Sequence, residues 1–262
     1  MQHTFSFATS TQKAPSVLFL QGIEHFQAVM VFSTRLGGVS PTPFDSLNFS
    51  TNEGDFLENV TANMRTFCNQ INIEPNSLIS CNQVHGNGVA IADSRLPDQT
   101  EADAIITSSA GIFPTVKTAD CLPILVIDPV RKVAAAIHAG WRGTIQRISR
   151  KVIRILTKEF GTLPADLIVT LGPSIRPCCY EVDQNVLEPF HHYLPWAESC
   201  TFTLEQLKKM QNSWHIVSAI QLDLGPKTIA EPIAMKPTRS ADFSFRIDLA
   251  RANHYELLNE GV

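Results

Sequence analysis

Residues 122–160 constrain the fold more tightly than any other stretch of this chain. Leu122 to Asp128, Leu-Pro-Ile-Leu-Val-Ile-Asp, is a short continuous apolar run with the length of a buried strand. Asp128-Pro129 closes it. Val133 to Ile137, Val-Ala-Ala-Ala-Ile, predicts a second strand that runs directly into His138. Ile145 to Phe160 then places Ile145, Ile148, Val152, Ile155 and Leu156 at helical spacing. Arg147, Arg150, Lys151, Arg154 and Lys158 fall mostly on the other faces, as in an amphipathic helix. Gly161 is the expected stop, and Thr144 is placed to cap the start. Strand, strand and helix in quick succession argue for an α/β or α+β architecture.

The remaining chain repeats this alternation with less contrast. Residues 29–33 predict an early strand, and Leu36-Gly37-Gly38-Val39-Ser40-Pro41 a turn. Val60, Met64, Phe67 and Ile71 predict a helix over Glu58 to Ile71. Leu167 to Leu171 predicts another strand, ended by Gly172-Pro173. Residues 190–240 are the least legible, with an irregular helical pattern from Leu204 to Trp214. There is no internal repeat, low-complexity tract or linker, so residues 1–262 are expected to form a single domain.

Composition removes several classes of function. With 44% apolar and 18% charged residues, the chain has the makeup of a globular protein. A net charge of −4 leaves no basic excess to meet phosphates, so no nucleic acid and no anionic membrane is expected as a partner. Met1 to Phe5 lacks a positive region, and Val17-Leu18-Phe19-Leu20 is too short for a signal-peptide core. No stretch approaches the ~20 apolar residues that span a bilayer. The expected location is therefore cytoplasmic, where thiols stay reduced. Of six cysteines, all but Cys121 are expected to be free buried thiols. Adjacent Cys178 and Cys179 have poor geometry for an ordinary bridge.

Three segments place metal-ligand types at a strand end or in a tight loop. They are Asn82-Gln83-Val84-His85-Gly86, Thr118-Ala119-Asp120-Cys121-Leu122-Pro123 and His138-Ala139-Gly140-Trp141-Arg142-Gly143-Thr144. The last ends a strand of small residues on a histidine and opens a helix. Backbone N–H groups at such a start favour an anion, and Arg142 adds a forked donor suited to phosphate. The same residues also suit a purely structural turn with Trp141 packed as core. A lone His85 is commonly a hydrogen-bonded structural residue, and a cysteine before a strand is commonly a buried thiol. With 36 residues from His85 to Cys121 and 17 from Cys121 to His138, spacing alone is no zinc signature.

Six strings, in order, resemble one family. They are Ser33-Thr34-Arg35-Leu36-Gly37-Gly38-Val39-Ser40, Phe44-Asp45-Ser46-Leu47-Asn48, the three segments above, and Leu171-Gly172-Pro173-Ser174-Ile175. Together they are similar to the laccase-domain family, also called the multicopper polyphenol oxidase-like or purine nucleoside phosphorylase family of that domain type. The likeness runs from about Ser33 to Glu181 and again, weakly, from Asp248 to Val262.

The resemblance implies a two-histidine, one-cysteine metal site, usually zinc, at His85, Cys121 and His138. It implies purine nucleosides and inorganic phosphate as substrates: phosphorolysis of adenosine, inosine, guanosine and S-methyl-5′-thioadenosine, and deamination of adenosine. It also implies an α/β fold with layered α/β/β/α order and mixed sheets, similar to a group of cysteine hydrolases. More chain is expected after the segment matching Ala250 to Val262.

Chemistry then suggests roles. Two imidazoles and a thiolate suit zinc and leave a fourth position open. Asp120 is the candidate catalytic proton shuttle beside the thiolate, with a structural carboxylate as the alternative. Arg142 and the N–H groups after Gly140, Gly143 included, form the candidate phosphate clamp, with Arg35 as a second cation. Both arginines equally suit a solvated surface. The HxE…PCxxC signature of zinc deaminases is absent. Eight histidines, with no HxH pair, are too few for a multicopper centre, although copper at the single site is an option. The rival readings are a metal-free cysteine hydrolase using Cys121 with a histidine base, a copper-dependent polyphenol oxidase, and a non-enzymatic binding protein.

Overall fold

The computed structural model describes residues 6–9, 17–92, 94, 96–97, 99–210 and 245–262. They fall into two compact units, one running up to Ile79 and the other starting at Ser80. The architecture is mixed α/β, as expected.

In the first unit, β1 (Ser6–Thr9), β2 (Val17–Gln21) and β3 (Val31–Ser33) form an antiparallel sheet in that order. The apolar run Val17 to Leu20 is thus the central strand, with Val17, Leu18 and Leu20 buried. Helix α1 (Leu57–Gln70) follows the predicted span within one residue. Asn63 on this helix is fully buried and ties down the Gly-rich loop before it. Its side-chain amide donates to Ser40 Oγ at 2.8 Å, to the Asn48 carbonyl at 2.8 Å and to the Ser46 carbonyl at 3.2 Å. Its oxygen accepts the Val39 N–H at 2.8 Å. Gly38 must be glycine there, because a Cβ would lie 2.1 Å from the Ser46 carbonyl oxygen.

The second unit is built on β4 (Val89–Ile91), β5 (Ala104–Thr107), β6 (Leu122–Asp128), β7 (Val133–Ala139) and β8 (Ile168–Leu171). The sheet order is β8-β6-β7-β5-β4. Only β4 and β5 run parallel among these neighbours, so the sheet is mixed. β6 has the predicted bounds, and β7 extends two residues further, taking in His138. The two strands form a hairpin, whose turn is held by Asp128 Oδ1 accepting the Val130 and Arg131 N–H groups, each at 2.8 Å.

Strand side chains alternate between faces. Leu122, Ile124 and Val126 share a core with Val133, Ala135, Ile137 and Ala139 and with Ile148, Val152, Ile153 and Leu156 of the following helix. Each buried Leu, Ile or Val side chain among these contributes about 1.5–3 kcal/mol. His138 has the opposite parity from this core set and projects from the other face of the strand.

The predicted single helix from Ile145 to Phe160 is in fact two. Helix α2 spans Trp141–Ile145 and α3 spans Ile148–Phe160. Arg147 between them is left-handed, with φ 58° and ψ 47°. The physical reason lies in packing. Ile145 packs on a second apolar cluster around Phe190 and Leu249, whereas Ile148 and Val152 pack on the sheet. The expected capping role of Thr144 also fails. Thr144 is buried inside α2, its Oγ1 accepts from Asn253 Nδ2 at 2.9 Å, and Gly140 is the N-cap. Gly161 ends α3 as expected, in a left-handed conformation.

A further antiparallel sheet contains β9 (Glu181–Val182), β10 (Thr201–Thr203) and β11 (Phe245–Ile247), with β11 central. Helix α4 (Gln184–Tyr193) is capped by Asp183, which accepts the Val186 N–H. Helix α5 (Leu204–Met210) lies in the stretch with an irregular helical pattern, and its predicted end at Trp214 lies outside the described residues. Helix α6 (Leu249–Asn259) starts on Asp248, whose carboxylate accepts the Arg251 N–H at 2.9 Å.

Candidate metal centre

The β6–β7 hairpin joins two of the predicted ligands. Its register pairs Leu122 with Ala139 and Pro123 with His138. Cys121, immediately before β6, therefore comes beside His138, near the end of β7. Seventeen residues of separation along the chain reduce to neighbouring positions across one ladder.

His85 arrives by a different device. Residues Val84, His85 and Gly86 form a turn in which His85 adopts φ 59°. All three N–H groups donate to the carboxylate of Asp103, at 3.3, 3.0 and 2.7 Å. Asp103 stands just before β5, which pairs with β7. Its backbone carbonyl accepts the His138 N–H at 2.7 Å, and its Oδ1 meets His138 Nδ1 at 2.7 Å. One fully buried carboxylate thus holds both histidines. Hydrogen bonds to a charged group are worth about 1.5–3 kcal/mol each.

The result is one cluster in which the ligand atoms of His85, Cys121 and His138 all lie within 4.8 Å of one another. The two imidazole centroids are 4.8 Å apart and nearly perpendicular, at 82°. His138 is buried, Cys121 half-buried and His85 exposed. Burial pushes the His138 pKa down, while the Asp103 hydrogen bond and charge oppose the shift and the neighbouring His85 adds to it. A neutral imidazole whose Nδ1–H donates a hydrogen bond to Asp103 keeps the Nε2 lone pair for an ion. Burial pushes the Cys121 thiol up, and the Asp120 and Asp103 charges add to this.

Two glycines make room for the cluster. A Cβ on Gly140 would stand 3.0 Å from Cys121 Sγ and 3.3 Å from His85 Cδ2. A Cβ on Gly143 would stand 2.9 Å from the Gly86 carbonyl oxygen, so α2 could not lie against the His85 turn. Two nitrogens and one sulfur at this mutual distance match what zinc takes. Among the described residues, this is the one group of three such ligands close enough to share an ion.

The other predicted residues are distributed as follows. Asp120 is exposed, and its carbonyl accepts the Ile175 N–H at 2.9 Å. Arg142 is exposed, with its guanidinium carbon 4.4 Å from the Trp141 ring centroid. Gly143 is buried in α2. Arg35 belongs to the first unit, where its guanidinium meets Asp45 at 2.8 Å. Sequence reasoning missed Asp103 and Tyr180. Asp103 precedes an apolar run, a signal too common to single it out. Tyr180 lies near the cluster. Burial pushes its hydroxyl up to about 12, with the Cys121 and Asp120 charges adding to the shift and Arg142 opposing it.

The family described as multi-copper polyphenol oxidoreductase laccase matches residues 29–248. A purine nucleoside phosphorylase of Streptomyces coelicolor is 37% identical over 157 residues, covering 59% of this chain and 64% of that protein. The match thus spans less than two thirds of that relative's length. A purine nucleoside phosphorylase of Bacteroides thetaiotaomicron is 34% identical over 191 residues, covering 69% of this chain and 71% of that one. The crystal structure of YlmD from Geobacillus stearothermophilus superposes with a TM-score of 0.73 at 26% identity, covering 98% of this chain and 85% of that one. With the family match running through all three ligand positions, the chain belongs to the multi-copper polyphenol oxidoreductase laccase family.

Proposed function

We propose that this protein is a zinc-dependent purine nucleoside phosphorylase whose centre is the His85–Cys121–His138 cluster. The observation that carries the reading is the convergence of these side chains in a chain whose relatives are named purine nucleoside phosphorylases. Held there by His85, Cys121 and His138, zinc would supply Lewis acidity to the reacting groups.

The chain's own groups do the rest. Asp103 fixes the tautomer and direction of His138 and the turn carrying His85. Arg142 offers a planar fork to inorganic phosphate. A phosphate oxygen attacks the sugar C1′ as the bond to the purine nitrogen breaks, through an oxocarbenium-like transition state. The bond's electron pair leaves with the base, which then takes up a proton. Asp120, exposed beside Cys121, is placed to relay such a proton. Adenosine, inosine, guanosine and S-methyl-5′-thioadenosine are the substrates in this reading, with adenosine deamination as a side reaction.

One observation favours a second reading. Asp103, His138 and Cys121 also form a carboxylate–imidazole–thiol series, the arrangement of a cysteine hydrolase. Elemental analysis and product analysis separate the two. Stoichiometric zinc, with adenine and ribose 1-phosphate formed from adenosine only when phosphate is present, supports the phosphorylase. Inosine formed without phosphate makes deamination the main reaction. Metal-free protein alkylated at Cys121, with neither product, overturns the proposal in favour of the hydrolase.

A further inference from the structure

The segment after β8 carries a pair of thiols that the proposed reaction does not use. Ile175 is anchored by its N–H on the Asp120 carbonyl at 2.9 Å. The chain then turns tightly, with the N–H groups of Cys179 and Tyr180 both donating to the Arg176 carbonyl, at 2.8 and 2.9 Å. Arg246, itself buried and paired with Glu181, donates to the Cys178 carbonyl at 3.1 Å. Held at these points, the turn brings Cys178 Sγ and Cys179 Sγ to 3.3 Å. Cys179 is exposed and Cys178 half-buried. Both thiols are expected from the sequence to be free and buried; Cys179 is instead open to solvent, and the pair is in sulfur–sulfur contact.

We propose that Cys178 and Cys179 are an oxidation-sensitive dithiol site, closed by hydroperoxides to a vicinal disulfide that reshapes the turn beside the metal centre. The exposed Cys179 thiolate attacks a peroxide oxygen. The O–O bond breaks, and hydroxide leaves and is protonated to water. Cys178 loses its proton and attacks the Cys179 sulfenic sulfur, and the S–O bond breaks to release a second water. Two thiols and one hydrogen peroxide give one disulfide and two waters. Access decides the order: Cys179 is exposed and Cys178 half-buried, so the first attack falls to Cys179, while burial and the adjoining Cys179 push the Cys178 thiol up.

Reversibility follows from covalent geometry. Adjacent residues have Cα atoms about 3.8 Å apart across a trans peptide. Ordinary bridges span at least about 4.4 Å. A bridge between neighbours is strained, and strained or exposed bridges are readily reduced. Coupling to the centre follows from connectivity. Tyr180 adjoins Cys179 and packs on the same apolar cluster as Trp141, and the Ile175 anchor is on the residue before Cys121.

The test treats zinc-loaded protein with hydrogen peroxide, blocks remaining thiols with iodoacetamide and weighs the peptide containing both cysteines. Loss of two hydrogens, reversed by dithiothreitol, is expected. Cys178→Ser should instead leave a Cys179 sulfenic acid that dimedone traps. Alkylation of both thiols after peroxide, or sulfinic acid without the bridged peptide, overturns the proposal. A second arm, which rests on the phosphorylase reading, follows adenosine phosphorolysis. A several-fold change that dithiothreitol reverses, and that the Cys178→Ser/Cys179→Ser variant does not show, supports the coupling. The same loss in that variant assigns the damage to Cys121 and overturns the coupling. Protein with no phosphorolysis before oxidation counts against the phosphorylase reading, while the mass measurement still decides the disulfide.

Discussion

Asp103 and His138 are bonded twice: carboxylate to imidazole Nδ1 at 2.7 Å, and carbonyl to backbone N–H at 2.7 Å. Both side chains are buried. The same carboxylate receives three N–H groups from the His85 turn. An ion placed among the three ligands would therefore depend on a residue that never touches it. Partners of this kind typically account for 10–100-fold in metal affinity.

Asp103→Asn retains the shape of the side chain but loses the charge. Zinc affinity, measured by competition with a chromophoric chelator, should fall about 10–100-fold. An unchanged affinity would mean that the ligands are held without Asp103.

Gly140→Ala adds one methyl group 3.0 Å from Cys121 Sγ. Overpacking of this kind costs about 1–3 kcal/mol. The loss should appear first as weaker zinc binding, because the sulfur and the His85 ring are what the methyl meets. Wild-type zinc affinity in a folded Gly140→Ala protein would contradict this steric account.

In the first unit, Asn63→Leu removes the acceptor of the Val39 N–H and the donor to Ser40 and Asn48. Each buried group left without a partner costs about 1–3 kcal/mol. Urea denaturation should show a midpoint well below wild type. A variant within error of wild type would show that water replaces the amide.

Asp55 sets an acid limit. Burial alone would raise its pKa, but hydrogen bonds from Ser40, Asn59, Asn48 and the Phe56 N–H together bring it down to about 2 from an ordinary 3.8. A folded pKa below the unfolded one contributes stability above the unfolded value, lost as pH falls towards the folded value. The stability gap between wild type and Asp55→Asn should be full at neutral pH and shrink between pH 3.8 and about 2. Thermal melts across that range check the sign, and a gap that widens on acidification would refute it.

Local pattern was enough for the elements with strong contrast. β6 was legible to the residue and α1 to within one, because apolar periodicity over a short window depends only on neighbours along the chain. The six ordered strings likewise pointed to His85, Cys121 and His138. Tertiary structure decided what no window contains. The break at Arg147 exists because Ile145 and Ile148 pack on different clusters, and a non-glycine residue takes the left-handed turn between them. Cys121 and His138 meet through the register of one hairpin, and His85 joins them through a carboxylate 18 residues further along. Coordination needs groups converging in space, and that convergence is set by strand pairing and buried charge, whose partners are remote in sequence.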